Sequence, residues 1–403
     1  MISVVDPATV YFTVSFNPDV HPDNCFILSR ISENIPASDI FLLSTTDKVP
    51  KKSHLFLQRS PELLREKFYS LKQPVEIADL LEISYSRLIY HIYLVTPEER
   101  YKTFGIPKKS GGIRQITTPI TALKIIQSKL NQVLQAVYDI KPSVHGFVMG
   151  KNIVTNAQAH VKKRYVLNID LKDFFPSINF GRVRGMFMAT PYGLHPEVAT
   201  VLAQICCHNN HLPQGAPTSP IISNMICGKM DSQLQRLAKD CKATYTRYAD
   251  DITFSTTLSQ FPRDLAYITN DEDGEKLVIG NSLLNIINTN GFEINQSKVR
   301  LQTRGNHQEV TGLTTNVFPN VDRTYVRQVR AMLHAWAKFG LEAAEKEYLS
   351  KYEFKNRLPQ KAKPTFKQVL RGKIEFIGVV KGKDDLIYRK YLKQYKSLIS
   401  FDL

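Results

Sequence analysis

The stretch TYTRYADDITFS, Thr244 to Ser255, decides the fold, because two adjacent carboxylates, Asp250 and Asp251, stand between two runs of β-branched and aromatic residues. The alternation on both sides predicts two short strands joined by a turn at Ala249 and Asp250. Two like charges side by side repel each other, and a divalent cation or a dedicated basic partner would remove that repulsion. A solvated turn is the alternative, since Asp is a common turn residue.

A second acidic motif lies upstream, in YVLNIDLKDFFPSI, Tyr165 to Ile178. Its apolar run predicts a buried strand that ends at Asp170, and Asp173 follows. A helix N-cap is the alternative for an acid placed there, and it suits Asp173 better than Asp170. Taken together with the Asp pair of the first motif, Asp170 is predicted to be a metal ligand. Three carboxylates would hold two magnesium ions about 4 Å apart, with manganese as a substitute.

With these motifs the chain resembles the reverse transcriptase family, over Leu80 to Asn316 and more weakly to its end. Four further motifs stand in the family's order around the YADD box: the fingertip motif IPKKSGGIRQI (Ile106 to Ile116), the first catalytic motif DLKDFF (Asp170 to Phe175), the template and nucleotide segment LPQGAPTSP (Leu212 to Pro220) and the lysine-bearing motif GFEINQSKV (Gly291 to Val299). Each one is weak alone, but five in order are strong.

Two other strings are similar to regions of retron reverse transcriptases: NAQAH, Asn156 to His160, and VTGLTTN, Val310 to Asn316. The retron resemblance implies an RNA-directed DNA polymerase that copies part of its own structured noncoding RNA, starting from the 2′-hydroxyl of an internal guanosine. The product would be branched RNA-DNA (msDNA), in antiphage defence beside an effector or toxin encoded nearby. The alternatives are a plain helix with a core or surface His160, and an ordinary strand at VTGL.

The same resemblance implies a role for each matching residue. The predicted catalytic residues and magnesium ligands are Asp170, Asp250 and Asp251, joined as a ligand by the backbone carbonyl of Leu171. The predicted dNTP contacts are Lys108, Lys109, Arg114, Asp173, Phe174, Phe175, Gln214 and Lys298. The predicted RNA or primer contacts are Asn156, His160, Val310, Thr311 and Gly312. Phe175 is expected to be the steric gate against ribose, with a core aromatic as the alternative for Phe174. A basic surface hairpin is the alternative for the fingertip.

Charge supports a polyanionic partner, because 53 Lys and Arg against 37 Asp and Glu give a net charge of +16. The excess is concentrated in Arg323 to Leu403, with 19 basic and 8 acidic residues. We interpret this region as a thumb that grips duplex and structured RNA. An amphipathic helix with Tyr388, Tyr391, Leu392 and Tyr395 on one face is the alternative, and both can hold together.

Other features limit the class of protein. No apolar stretch approaches the ~20 residues of a membrane span, and the N-terminus has no basic signal region. Five cysteines without a CxxC pair predict a reduced bacterial cytoplasm and no structural zinc. His208 and His211 are read as polar loop or helix residues, and Ser259 to Gly280 as a solvated loop.

The sequence therefore predicts an α+β right-hand polymerase with an N-terminal extension. Residues 1–75 would form the extension, of unknown role, 76–315 the fingers and a palm built on an antiparallel sheet, and 316–403 a basic, largely helical thumb. A group II intron-like or other bacterial reverse transcriptase is the nearest alternative. A binding module that sequesters RNA or an effector on a polymerase fold is the alternative of another class.

Overall fold

A computed structural model describes residues 55–107, 111–271, 274–351 and 364–401 of the chain. The first 54 residues of the predicted N-terminal extension lie outside these ranges. The contacts divide the chain into two units. The described residues of the first unit fall within 55–104, 116–138 and 178–222, and those of the second within 105–115, 139–177 and 223–401.

The helices and strands occur mostly in separate runs along the chain, as expected for an α+β protein. The helices of the described residues are α1 Pro61–Ser70, α2 Pro74–Leu80, α3 Tyr85–Ile89, α4 Pro97–Arg100, α5 Thr121–Val137, α6 Ile153–Gln158, α7 Phe180–Met188, α8 Pro196–Cys206, α9 Ser219–Asp240, α10 Asn281–Thr289, α11 Arg323–Phe339, α12 Leu341–Lys351, α13 Phe366–Lys381 and α14 Leu386–Phe401, with a π-helix at Tyr90–Leu94 and a 3-10 turn at Gln296–Lys298. The strands are β1 Tyr101–Pro107, β2 Ile113–Pro119, β3 Tyr165–Asp170, β4 Thr244–Tyr248, β5 Asp251–Thr256, β6 Ala266–Asp271, β7 Gly274–Ile279, β8 Arg300–Thr303, β9 Glu309–Val310 and β10 Leu313–Thr314.

The first unit is largely helical and its core lies among α1, α2, α5, α7 and α8. Helix α5 buries an apolar face with helical spacing, since Leu130, Val133 and Leu134 are fully buried. Helix α1 packs on α5, and its Arg65 donates to the carbonyls of Ala136 and Val137 at the end of that helix. The described part of the predicted extension thus packs against α5, and the domain boundary at residue 75 stays a prediction.

The second unit contains the predicted antiparallel sheet, with the strand order β4, β5, β3, β8. Its central strands are apolar on the face they bury: Leu167 and Phe254, which lie opposite each other in the register, are both fully buried. Strands β4 and β5 are joined by a tight turn at Ala249 and Asp250, which confirms the predicted hairpin. The sheet is the rigid base on which the acidic residues stand.

One local prediction is wrong, and one alternative is excluded. The stretch from Ser259 to Gly280 is not a solvated loop, because β6 and β7 pair within it over six residue pairs. Gly280 closes this hairpin where a Cβ would come within 2.2 Å of the Asp264 carbonyl oxygen. Asp173 is not a helix N-cap, since α7 begins later, at Phe180, and Asn179 caps it through the Arg182 amide.

The C-terminal helices share one hydrophobic core with α6 and β9. Tyr388, Tyr391 and Tyr395 of α14 are all buried in it, around Trp336 of α11. The amphipathic alternative for this region is therefore correct for the rings, which pack into protein and leave the lysines and arginines of α14 outside. The four cysteines of the described residues are all buried, and none of them is in a disulfide bond. In the same ranges no helix is long and apolar enough to cross a membrane.

Candidate active site

The three carboxylates predicted to be catalytic meet because of the register of two neighbouring strands. Asp170, the last residue of β3, lies opposite Asp251, the first residue of β5. Asp250 precedes it in the turn, where the amide of Leu171 donates to the Asp250 carbonyl at 3.0 Å. Ala249 holds the turn with a φ of 57°, a conformation that a non-glycine residue rarely adopts. The three predicted carboxylates are thus brought to one end of the sheet.

A lysine and an asparagine from the predicted lysine-bearing motif contact the first carboxylate. Lys298 Nζ lies 2.9 Å from both Asp170 carboxylate oxygens, and Asn295 Nδ2 donates to one of them at 3.1 Å. The Asn295 amide also donates to the Asp170 carbonyl. A cavity of about 330 Å³ opens here; its lining includes Asp170, Asp251, Lys298 and Arg300. The lysine that the sequence assigned to the triphosphate stands at the carboxylates.

Crowding of acids in this cavity changes their ionisation. Burial, together with the neighbouring carboxylates of Asp250 and Asp170, raises the pKa of Asp251 to about 6, although part of its side chain reaches solvent. Burial and Asp170 also raise the pKa of Asp250, against an opposing contribution from Lys298 and Arg114. Ionising both acids of the turn is therefore costly until a cation neutralises them.

A buried polar network behind the turn was missed by the sequence reasoning. Arg247 binds both Asp231 carboxylate oxygens at 2.8 Å and donates to the Ala249 carbonyl at 3.0 Å, and both charged residues are fully buried. Asn224 accepts from the same guanidinium, and the Tyr245 hydroxyl donates to Asp231. The available signal was Arg247 itself, the one charged residue of β4, TYTRY, so close to the acidic turn. This network fixes the backbone that carries Asp250 and Asp251.

The aromatic pair after the first catalytic motif divides into a core residue and an accessible one. Phe174 is buried and stacks on Phe292 at 5.6 Å between ring centroids, as the core alternative proposed. Phe175 is half-buried, with its ring 6.3 Å from that of Phe147. Asp173 before them is exposed and has a φ of 45°. Of the two rings, Phe175 is the one that a nucleotide can reach.

The remaining predicted nucleotide contacts are distributed over both units. Gln214 belongs to the first unit, where its carbonyl accepts a hydrogen bond from the Thr117 amide. The next residue, Gly215, has a φ of 129°, and a side chain there would clash with the Thr117 backbone. Arg114 lies exposed on β2, in the second unit with the carboxylates. Lys108 and Lys109 lie outside the described residues.

The predicted RNA contacts fall into a buried set and a turn. His160 is fully buried and shares hydrogen bonds of 2.7 Å with the hydroxyls of Ser255 and Thr246, so it is a core histidine of the kind the alternative describes. Asn156 is also buried and reaches Thr311 at 3.5 Å. Val310 is buried at the end of β9. Thr311 and Gly312, both with positive φ, form the tight turn into β10, and only Gly312 is exposed.

The acidic side chains at the end of the sheet are the candidate ligands for a divalent cation. In the part of the chain that the structure describes, no group of three or more His, Cys, Asp and Glu side chains is arranged to hold an ion. The donor chemistry nevertheless fits a hard divalent cation, because three carboxylates converge and the Lys298 ammonium already occupies the position of a counter-charge on Asp170. His208 and His211 pair with each other through their backbones, as polar residues of a bridge.

Comparison with known proteins agrees with this geometry. The profile of the family described as reverse transcriptase (RNA-dependent DNA polymerase) matches residues 106–332. Retron Mx65 reverse transcriptase of Myxococcus xanthus is 37% identical over 287 residues, 65% of this chain and 62% of that protein. Retron Mx162 reverse transcriptase of the same organism is 34% identical over 285 residues, 64% of this chain and 57% of that protein. Retron Ec86 reverse transcriptase of Escherichia coli is 32% identical over 247 residues, 60% of this chain and 72% of that protein.

The chain thus spans about three fifths of the length of the two Myxococcus proteins. Among solved structures, a Candida albicans telomerase in complex with a fragment of telomeric RNA covers 74% of this chain and 63% of its own, with 13% identity and a TM-score of 0.39. That similarity is too weak to carry structural detail.

Proposed function

Because this chain belongs to the reverse transcriptase family and groups with its retron members, we propose that it is the RNA-directed DNA polymerase of a bacterial retron. It would join dNTPs to a hydroxyl terminus on an RNA template, with pyrophosphate as the leaving group. The observation that carries the proposal is the meeting of Asp170, Asp250 and Asp251 at one end of the sheet, with Lys298 bound to Asp170. A protein that only sequestered RNA would not need three carboxylates there, where they repel the phosphates of its ligand.

Asp170, Asp250 and Asp251, with the Leu171 carbonyl, would hold magnesium or manganese. When bound, these ions supply the charge that activates the attacking hydroxyl and stabilises the leaving oxygen. The raised pKa values of Asp250 and Asp251, caused by burial and then by the neighbouring carboxylates, support this assignment, since a cation would stabilise the ionised form of both acids. The buried Arg247 keeps the turn in place from behind through the Ala249 carbonyl.

The other residues bind and position the substrate. Once Lys298 is released from Asp170, its ammonium would neutralise the pyrophosphate or donate a proton to it. Arg114, with Lys108 and Lys109, would contact the triphosphate, and Gln214 the template and the nucleotide. Asp173 would border the same nucleotide site. Phe175 would exclude a ribose 2′-hydroxyl by its bulk. Positioning and charge neutralisation supply most of the rate in such transfers.

We further propose that the RNA is the retron's own structured noncoding RNA, primed from an internal guanosine 2′-hydroxyl to give branched msDNA. Thr311 and Gly312 would contact it directly, whereas Asn156, His160 and Val310 would act from the core by holding that turn and the sheet. The basic C-terminal region would bind its phosphates and stem-loop shape. Work in the bacterial cytoplasm, in antiphage defence with a nearby effector, belongs to the same proposal.

The test expresses the chain with its flanking DNA and compares the extracted nucleic acid with that from Asp250→Ala/Asp251→Ala. A discrete DNA that disappears in the variant and shifts after debranching is expected. Asp240→Asn, an exposed acid at the end of α9, is the matched control and should leave the product unchanged. DNA synthesis only on an added primer and template would favour another reverse transcriptase lineage. RNA binding without any dNTP incorporation would overturn the polymerase and favour the sequestering module.

A further inference from the structure

The segment Ser143 to Gly150, here called the HGF loop, runs directly against the turn at Ala249 and Asp250, here called the catalytic turn. The His145 amide donates to the Arg247 carbonyl and the Arg247 amide to the Ser143 carbonyl, each at 2.9 Å. Asn224 Nδ2 donates to the Gly146 carbonyl at 2.9 Å. A Cβ at Gly146 would lie 2.4 Å from the Ala249 nitrogen, so only glycine permits this approach. These contacts hold the loop in a fixed position against the backbone that carries Asp250.

A lysine fixes the loop from its other side. Lys151 Nζ donates to the carbonyls of Pro142 and Val144 at 2.6 and 2.8 Å. The ring of His145 shares a hydrogen bond of 2.9 Å with the Thr155 hydroxyl. With both ends held, the loop has little freedom to relax, and a side chain it presents has a defined position.

The side chain presented beside the site is Phe147. Its φ is 60°, a left-handed conformation that is an outlier for a bulky residue and that persists only when the surroundings impose it. Its ring is 44% exposed, although burying it would be favourable. The ring centroid lies 6.3 Å from that of Phe175 with the planes tilted by 48°, within the range of interacting aromatic pairs.

We propose that Phe147 is a specificity-determining residue that fixes the position of Phe175 and thereby sets the preference for deoxyribose over ribose. The inference rests on the proposed polymerase function. A ring can exclude a hydroxyl group only when it cannot move aside, and Phe175 lies against two neighbouring rings, those of Phe174 and Phe147. Phe174 is itself held in the core by Phe292. Phe147 thus supplies the second, solvent-side support, and the strained loop is the means of placing it.

The experiment measures the ratio of kcat/KM for dNTP and rNTP on an RNA template with an annealed DNA primer. Phe147→Gly is the chosen variant, because it removes the ring and also relieves the strained φ, so folding is expected to be preserved. We expect the ratio to fall by about 10-fold or more, toward that of Phe175→Ala, while Phe147→Tyr keeps it. Met149→Gly, on the same loop and 84% exposed, is the matched control and should leave the ratio unchanged.

A double variant separates support of Phe175 from an independent contact. If Phe147 acts through Phe175, then Phe147→Gly/Phe175→Ala should discriminate no less than Phe175→Ala alone. Additive losses, or a Phe147→Gly enzyme with unchanged discrimination, would overturn the inference. Either result would leave the polymerase proposal intact, since that proposal fails only if the unmodified chain incorporates no dNTP.

Discussion

One added methyl group is expected to displace the catalytic turn. Gly146→Ala would bring a Cβ to 2.4 Å from the Ala249 nitrogen, against backbone that cannot yield cheaply. Because shifts of about 1 Å cost on the order of 10² in rate, we expect kcat to fall by about that factor while most of the fold remains. Steady-state kinetics and a thermal melt measure the two effects.

Gly372→Ala is the control for this substitution, since Gly372 is an exposed residue of α13 and nothing lies within 4 Å of its added Cβ. It should keep full activity and stabilise the protein by up to about 1 kcal/mol. A Gly146→Ala enzyme with normal kcat would show that the turn does not depend on this close approach.

Lys298 offers a second prediction for a single residue. Removing its ammonium with Lys298→Met takes the counter-charge from Asp170 and the cation from the pyrophosphate. We expect kcat to fall by roughly 10² or more, as for the loss of a general acid, with nucleotide KM changed less. Single-turnover kinetics measure the step, and Lys239→Met, an exposed cation of α9, is the control. Equal losses for the two variants would contradict a specific role.

Sequence reasoning succeeds for residues whose role is carried by local pattern and fails for those defined by distant contacts. Asp170, Asp250 and Asp251 stand at strand ends, which the alternation reveals. His160 looks the same in the sequence whether it faces RNA or the hydroxyls of Ser255 and Thr246, 95 and 86 residues away. Only the register of the strands places it in the core.

At the scale of elements, a buried ion pair between Asp231 and Arg247 lies at the centre of the contacts that join helix α9 to strand β4. Asp231→Asn would leave the Arg247 guanidinium without its charge partner in a fully buried position. Breaking such a pair costs about 3 to 5 kcal/mol of the free energy of unfolding, which urea denaturation would measure.

The control for the buried pair is the exposed ion pair between Arg389, on α14, and Asp384, just before that helix. Arg389→Gln should change the free energy of unfolding by less than about 1 kcal/mol. Similar small costs for both substitutions would mean that water reaches Arg247 and that the network does not hold the catalytic turn.

Helix α14 has an aromatic face that packs into the core and a basic face that is exposed. Tyr391 is buried against the C-terminal core, whereas Lys393 is exposed. Tyr391→Ala should cost about 3 to 5 kcal/mol of unfolding free energy, the range for large aromatic truncations. Lys393→Gln should leave stability unchanged and weaken RNA binding. A Tyr391→Ala protein with normal stability and weakened RNA binding would instead place the ring on nucleic acid.

The elements that the sequence misjudged share a physical cause. The hairpin of β6 and β7 was read as a loop because its acidic centre outweighed the short apolar run that follows, LVI, Leu277 to Ile279. Strand pairing is decided by the partner strand, and a composition argument weighs each segment alone. The amphipathic helix at α14, the alternative given for that region, was visible because a helix satisfies its backbone internally and its apolar period lies in one segment.

At the scale of the whole molecule, the surplus of positive charge is concentrated in the C-terminal region, where helix α11 has an exposed basic side. Helix α11 carries no acidic residue, and Arg323, Arg327, Arg330 and Lys338 are all exposed along one side of it. At 1.5 Å per residue this row extends about 22 Å. A row of cations of that length can contact several phosphates of a duplex.

Salt dependence therefore distinguishes this row from a merely solvated face. The logarithm of the RNA affinity should fall linearly with the logarithm of salt concentration, because bound phosphates release counterions. Arg327→Gln/Arg330→Gln should reduce the slope by about one unit for each lost phosphate contact, with Lys239→Gln as the control. Fluorescence anisotropy across a salt series measures both slopes. An unchanged slope would mean that these cations face only solvent and that the net charge of +16 serves solubility at this helix.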